Sequence, residues 1–110
     1  MKSFIEYNYD NKLNILSDYF YENGFITRMY IKDNSIYLMD LKRNKSKLSG
    51  TYVMNKIIEF ADTNNLNIKL IAVPTHTDIN KLLNFYKKFG FKVIGDYSNI
   101  GKEMIRNPLK

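Results

Sequence analysis

The sequence predicts an α/β chain of the α+β kind, with a mixed, mostly antiparallel sheet around one central parallel βαβ crossover. Three observations lead there. Two β-rich runs, "FITRMYI" and "SIYLMDL", flank Lys32-Asp33-Asn34, a turn-forming composition that makes them an antiparallel hairpin. The second run is followed by an amphipathic helical stretch and then by a third β-type run, "NIKLIAV", an arrangement that makes the outer two strands parallel and right-handedly connected. Two short runs near the end, "FKVIG" and "GKEMIR", follow a helix stop and close the sheet. A length of 110 residues, 45% of them hydrophobic, suits a single domain spanning 1–110 with a real core.

Taken in order, "SFIEY" has the composition of a short first strand. From Asp10 onward Leu13, Leu16 and Phe20 recur at helical spacing, Ile15 and Tyr19 widen the stripe, and Gly24 supplies a stop. After the hairpin comes "KRNKSKLSG", then a helix over 50–64 in which Val53, Met54, Ile57, Ile58 and Ala61 share one face. Pro74 ends the "NIKLIAV" run. Asp78 or Thr77 caps the next helix, where Ile79, Leu82, Leu83, Tyr86 and Phe89 share a face. Gly90 sits where a left-handed residue ends a helix, and Phe91 can fold back onto the last turn.

Composition excludes several classes of function. Without cysteine there is no disulfide framework, thiolate metal site or cysteine nucleophile, and no metal centre is expected. No apolar run reaches the length of a membrane span, and "MKSFIEYNYD" lacks a secretory hydrophobic region, so a cytoplasmic protein is expected. The net charge of +6 is uneven: residues 1–41 hold four cations against six acids, and the remainder is strongly basic. A basic C-terminal part points to a phosphate-bearing ligand or nucleic acid, and lysine's dominance over arginine favours point-charge phosphate attraction over base reading. The alternative for the global surplus is an Asn-, Lys- and Ile-rich composition that reflects biased codon usage, which does not explain local clusters.

One such cluster is well placed. In βαβ units ligands bind beyond the carboxyl ends of the strands, against the start of the crossover helix. Lys42, Arg43, Lys45 and Lys47 lie there, just before Ser49-Gly50-Thr51, where small residues let backbone N–H groups face outward at the positive end of the helix dipole. That is an anion site by composition, for a phosphate or pyrophosphate. The alternative is a solvated charge run.

Two segments resemble the GNAT superfamily of acetyl-CoA-dependent N-acetyltransferases. "GTYVMNKIIEFA", Gly50 to Ala61, is similar to the end of the family's Arg-x-x-Gly-x-Gly loop and the helix after it. "LLNFYKKFGF", Leu82 to Phe91, is similar to its Leu-Tyr-x-Lys-x-Gly-Phe segment. The ending "EMIRNP" resembles the last strand of small, bacteriophage-type members, which would place the protein in a host cytoplasm. The resemblance spans roughly residues 36–108. The loop departs from the pattern: Lys45 stands where the arginine is expected and Leu48 on the first glycine, and Ile79 replaces an asparagine that usually opens the later helix.

The resemblance implies direct attack of an amine on the thioester of acetyl-CoA, with pantetheine filling a gap between splayed parallel strands. It implies cofactor contacts from Met39 and Leu41 on the strand, from Lys45, Lys47, Ser49, Gly50 and Thr51 at the loop, and from Tyr86. A backbone N–H near Met39 to Leu41 would steady the oxyanion, and Tyr86 stands at the position of the acid that protonates the leaving thiolate. Its alternative is a tyrosine completing the Leu82–Leu83–Phe89 face. For the base, Asp40 on the strand and His76 in "PTHTD" are candidates beside a water relay, and each has a solvated-surface alternative. The acceptor is expected to be an amine (a protein lysine, an N-terminus or a small amine), the acidic balance of residues 1–41 favouring a cationic one such as a lysine side chain or polyamine, and a homodimer could complete an open cleft. Two other functions stay open: a GNAT-like protein without turnover that binds a protein partner, and a basic RNA- or DNA-binding module.

Overall fold

The computed structural model describes residues 4–45, 47–74 and 78–109, with the side chains of 4–10 left aside. The order is α1 (Phe4–Glu22), β1 (Phe25–Lys32), β2 (Ser35–Arg43), α2 (Gly50–Thr63), β3 (Asn67–Ala72), α3 (Ile79–Lys87), β4 (Lys92–Asp96) and β5 (Lys102–Arg106). The five strands form one sheet in the order β1-β2-β3-β5-β4, with β2 and β3 parallel and every other neighbour antiparallel. The α+β class and the central crossover are as the sequence implies.

The start of the chain is a correction. Residues 4–7 of "SFIEY" begin α1 instead of forming a strand. Ile5, Tyr9, Leu13, Leu16 and Phe20 continue one helical spacing back to the start, so the short apolar run belongs to the helix it precedes. Leu13 and Phe20 are fully buried, whereas Ile15 and Tyr19 stay exposed, so the stripe is narrower than the spacing implied. Gly24, at φ +81, takes the left-handed conformation that stops α1. In the β1–β2 hairpin Asp33 and Asn34 both have positive φ, the two-residue turn whose twist matches the strands it joins.

Ser49 caps α2, its Oγ accepting the Tyr52 N–H at 3.0 Å, and Asp78 caps α3 by accepting from Lys81 N at 3.0 Å. Val53, Met54, Ile57 and Ala61 of α2 are buried, as their spacing requires, and join Ile36, Leu38, Ile68, Leu70, Ala72 and Met104 in one core. Burial alternates along β3: Ile68, Leu70 and Ala72 are buried while Lys69 is half-exposed and Ile71 exposed. The core therefore lies on one face of the sheet. The other face is open and carries Tyr30 stacked on Tyr37, with Lys69 Nζ over the Tyr37 ring.

An ion pair ties the far ends of the core together. Arg106, only 5% exposed, donates to both carboxylate oxygens of Asp62 at the end of α2, at 2.8 and 3.1 Å, and to the Phe89 carbonyl at 2.7 Å. One guanidinium thus holds α2, the end of α3 and β5 in fixed relation. Gly90, at φ +91, lies against this side chain and turns the chain sharply, so that Phe91 packs edge-on to Tyr86.

Candidate active site

The central strands separate at a defined point. Parallel pairing of β2 with β3 runs from Ser35↔Asn67 to Leu38↔Leu70 and stops. Beyond it β2 pairs only with β1 and β3 only with β5. This ladder is shorter than the pairing of "SIYLMDL" with "NIKLIAV" that the sequence indicates. The cause is a bulge: Arg28 pairs with Asp40 and Met29 with Leu38, leaving Met39 as an extra residue on β2. A bulge bends its strand and raises the local twist, so β2 leaves β3 one residue after their last pair. The inner edges of both strands beyond Leu38 and Leu70 then have backbone groups without a sheet partner.

A cavity of about 270 Å³ lies over this point, lined by Tyr37 and Met39 of β2, Lys69 and Ile71 of β3, Ile94 of β4, Glu103 of β5 and neighbouring backbone. Met39, an expected contact, lines it. Leu41 lies further along β2, opposite Thr27, and packs against the core. Asp40 does not line the cavity; its carboxylate accepts from Arg28 Nε at 3.1 Å across the hairpin, on an exposed surface. His76 lies outside the described residues.

The start of α2 and the later part of α3 come together. A Cβ on Gly50 would touch Phe85 Cζ at 3.7 Å, so α3 bounds the space in front of this glycine. Tyr52 and Val53 amides bond to Ser49, whereas the Gly50 and Thr51 amides have no partner among the described residues. Lys45, at φ +54, turns the loop, and it and Lys47 are exposed ahead of these amides. Leu48, in place of a glycine, packs against the core and anchors the loop by its side chain.

Tyr86 follows Phe85 on α3. Its ring is half-buried against Phe85 (5.4 Å) and Phe91 (5.7 Å) and packs on the core. Burial pushes its pKa above the ordinary tyrosine value, so the hydroxyl stays protonated through neutral pH. Among the described residues this hydroxyl makes no hydrogen bond.

Two residues were missed by sequence reasoning. Glu103 is placed on the open face by the alternation of "GKEMIR", but only the pairing of β5 with β3 brings it to the cavity. Arg106 reads as a terminal strand cation, and nothing local points to Asp62, 44 positions away.

No family model and no curated protein matches this sequence. Solved structures do match. The PaiA N-acetyltransferase from Thermoplasma acidophilum, in complex with coenzyme A, has a TM-score of 0.57 at 20% identity over 76% of this chain and 52% of that one. A GNAT-family protein from Bacteroides thetaiotaomicron has a TM-score of 0.55 at 15% identity over 78% and 56%. Arabidopsis thaliana Naa50, with the bisubstrate analogue CoA-Ac-MVNAL, has a TM-score of 0.53 at 18% identity over 88% and 91%. The fold is that of GNAT N-acetyltransferases. The chain spans about half the length of the first two.

Proposed function

We propose that this chain is an N-acetyltransferase that moves the acetyl group of acetyl-CoA to an amine by direct attack. The observation that carries the proposal is the bulge at Met39, where the parallel pairing of β2 with β3 ends. The residues present fit the co-substrate. The amides of Gly50 and Thr51, at the positive end of the α2 dipole, suit a pyrophosphate, with Lys45 and Lys47 adding attraction from the loop. The edge of β2 just beyond Leu38 that no longer pairs with β3 suits an extended amide-bearing chain lying in the gap like a strand. Two of the neighbours, solved with coenzyme A or a CoA bisubstrate analogue, support this choice.

In this scheme the bound thioester supplies the activated acyl carbon. An N–H at residues 39–41 steadies charge developing on its oxygen as the neutral amine adds. When the C–S bond breaks, Tyr86 gives its hydroxyl proton to the sulfur and recovers one from solvent, and the acetylated nitrogen releases its extra proton to water. Asp40, held by Arg28 away from the cavity, leaves that last step to water or to another group. Calorimetric titration with acetyl-CoA, followed by thiol release across a panel of amines, tests the proposal; no binding would defeat it. Binding without turnover would instead favour a GNAT-like protein acting on a partner, an outcome to which Leu48 in the loop gives some ground.

A further inference from the structure

The cavity over the strand gap is lined by two charged side chains, Lys69 and Glu103, and otherwise mainly by apolar groups. They do not pair with each other. Lys69, on β3, leans toward β2, its Nζ 5.5 Å from the centre of the Tyr37 ring. Glu103, on β5, leans toward β4, where its Oε2 lies 3.6 Å from where a Cβ on Gly95 would be. Among the described residues its carboxylate has no hydrogen bond or ion pair. Lys102, the adjacent cation on β5, is already engaged with Asp96. The absence of a side chain at Gly95 keeps the approach to Glu103 open.

From these positions we infer that the cavity takes an alkyl amine carrying a second positive charge, and that Glu103 holds that second ammonium. The inference rests on the transferase proposal for its reacting end and extends it to the class of acceptor. Chemistry sets the polarity. The attacking nitrogen must be neutral, and the Lys69 cation beside the gap disfavours an ammonium there. The non-reacting ammonium finds its counter-charge at the other end of the cavity. From the β2–β3 gap to β5 is about one and a half strand spacings, and the lean of Glu103 toward β4 makes it about two, roughly 10 Å, a distance that a short alkyl diamine and one hydrogen bond bridge. Met39, Ile71 and Ile94 offer apolar walls for the methylenes between the two nitrogens.

The test compares 1,5-diaminopentane with 1-aminopentane by calorimetric titration, with and without acetyl-CoA, in the wild type and in Glu103→Gln, Glu103→Asp and Lys69→Gln. The wild type should bind the diamine at least about tenfold more tightly, as expected for one charge-assisted hydrogen bond. Glu103→Gln should bring the two ligands to equal affinity, Glu103→Asp should retain part of the preference, and Lys69→Gln should retain all of it. Melting temperatures of the variants establish that the fold is kept. Equal affinity in the wild type, or a preference that survives Glu103→Gln, overturns the inference. Acetyl-CoA titration reports separately on the transferase proposal: diamine preference without acetyl-CoA binding would leave Glu103 as the ammonium site and remove the reaction.

Discussion

Replacing Tyr86 by phenylalanine removes one oxygen and leaves the ring where it is. Its edge-on contacts with Phe85 and Phe91 involve carbon alone, and the hydroxyl has no partner among the described residues. The stability change should therefore be within about 0.5 kcal/mol, the range of substitutions that break no packing or hydrogen bond. If the hydroxyl protonates the departing thiolate, turnover should fall roughly tenfold to a thousandfold, or about 1.4–4 kcal/mol of barrier. Acetyl-CoA affinity should change little. Because burial raises the folded pKa of Tyr86, the acid form persists through neutral pH, and wild-type activity should lose this group's help only above the ordinary tyrosine range. The same raised pKa means that its contribution to stability is present below about pH 10 and is lost as pH rises through the folded value. Thiol release at saturating amine, with a thermal melt on the same preparations, measures both quantities. Wild-type turnover in Tyr86→Phe would refute the acid role and leave this tyrosine a core residue.

Asp62→Asn leaves the Arg106 guanidinium nearly buried without its carboxylate and should cost about 3 kcal/mol at pH 7 by chemical denaturation. The Arg106 hydrogen bonds hold the Asp62 carboxyl below the usual range, so this stability is present above about pH 4 and is lost as pH falls through the lowered value. The gap between wild type and variant should shrink accordingly, and a constant gap down to pH 2 would contradict it. Gly90→Ala forces a side chain into a φ of +91 and should destabilise by about 1–2 kcal/mol, whereas an unchanged melt would mean the turn relaxes freely. Lys45→Glu with Lys47→Glu should weaken acetyl-CoA binding several-fold and flatten its salt dependence, and unchanged calorimetric affinity would place the pyrophosphate elsewhere.

Much of the local structure follows from the sequence by itself. The 3.6-residue spacing through Val53, Met54, Ile57 and Ala61 makes α2 and selects its buried face, because burying that stripe is the only arrangement that removes it from water. Gly24 and Gly90 end helices at positive φ, and Asp33-Asn34 turns a hairpin, because backbone sterics at those positions are settled within a few residues. The Tyr-Lys-Lys-Phe-Gly-Phe segment likewise places Tyr86 one turn before a stop. The start of the chain was less legible, since a short apolar run such as "FIEY" fits either period until the helix beyond it is followed back.

Tertiary structure decided what depends on pairing over distance. The bulge at Met39 is defined by the register of β2 against β1, and the parting from β3 that goes with it is contained in no window of β2. The insertion of β5 between β3 and β4 carries Glu103 to the cavity and Arg106 to Asp62. A charge on a strand gains its meaning from the neighbour across the sheet, and that neighbour is chosen only when the whole chain closes its core.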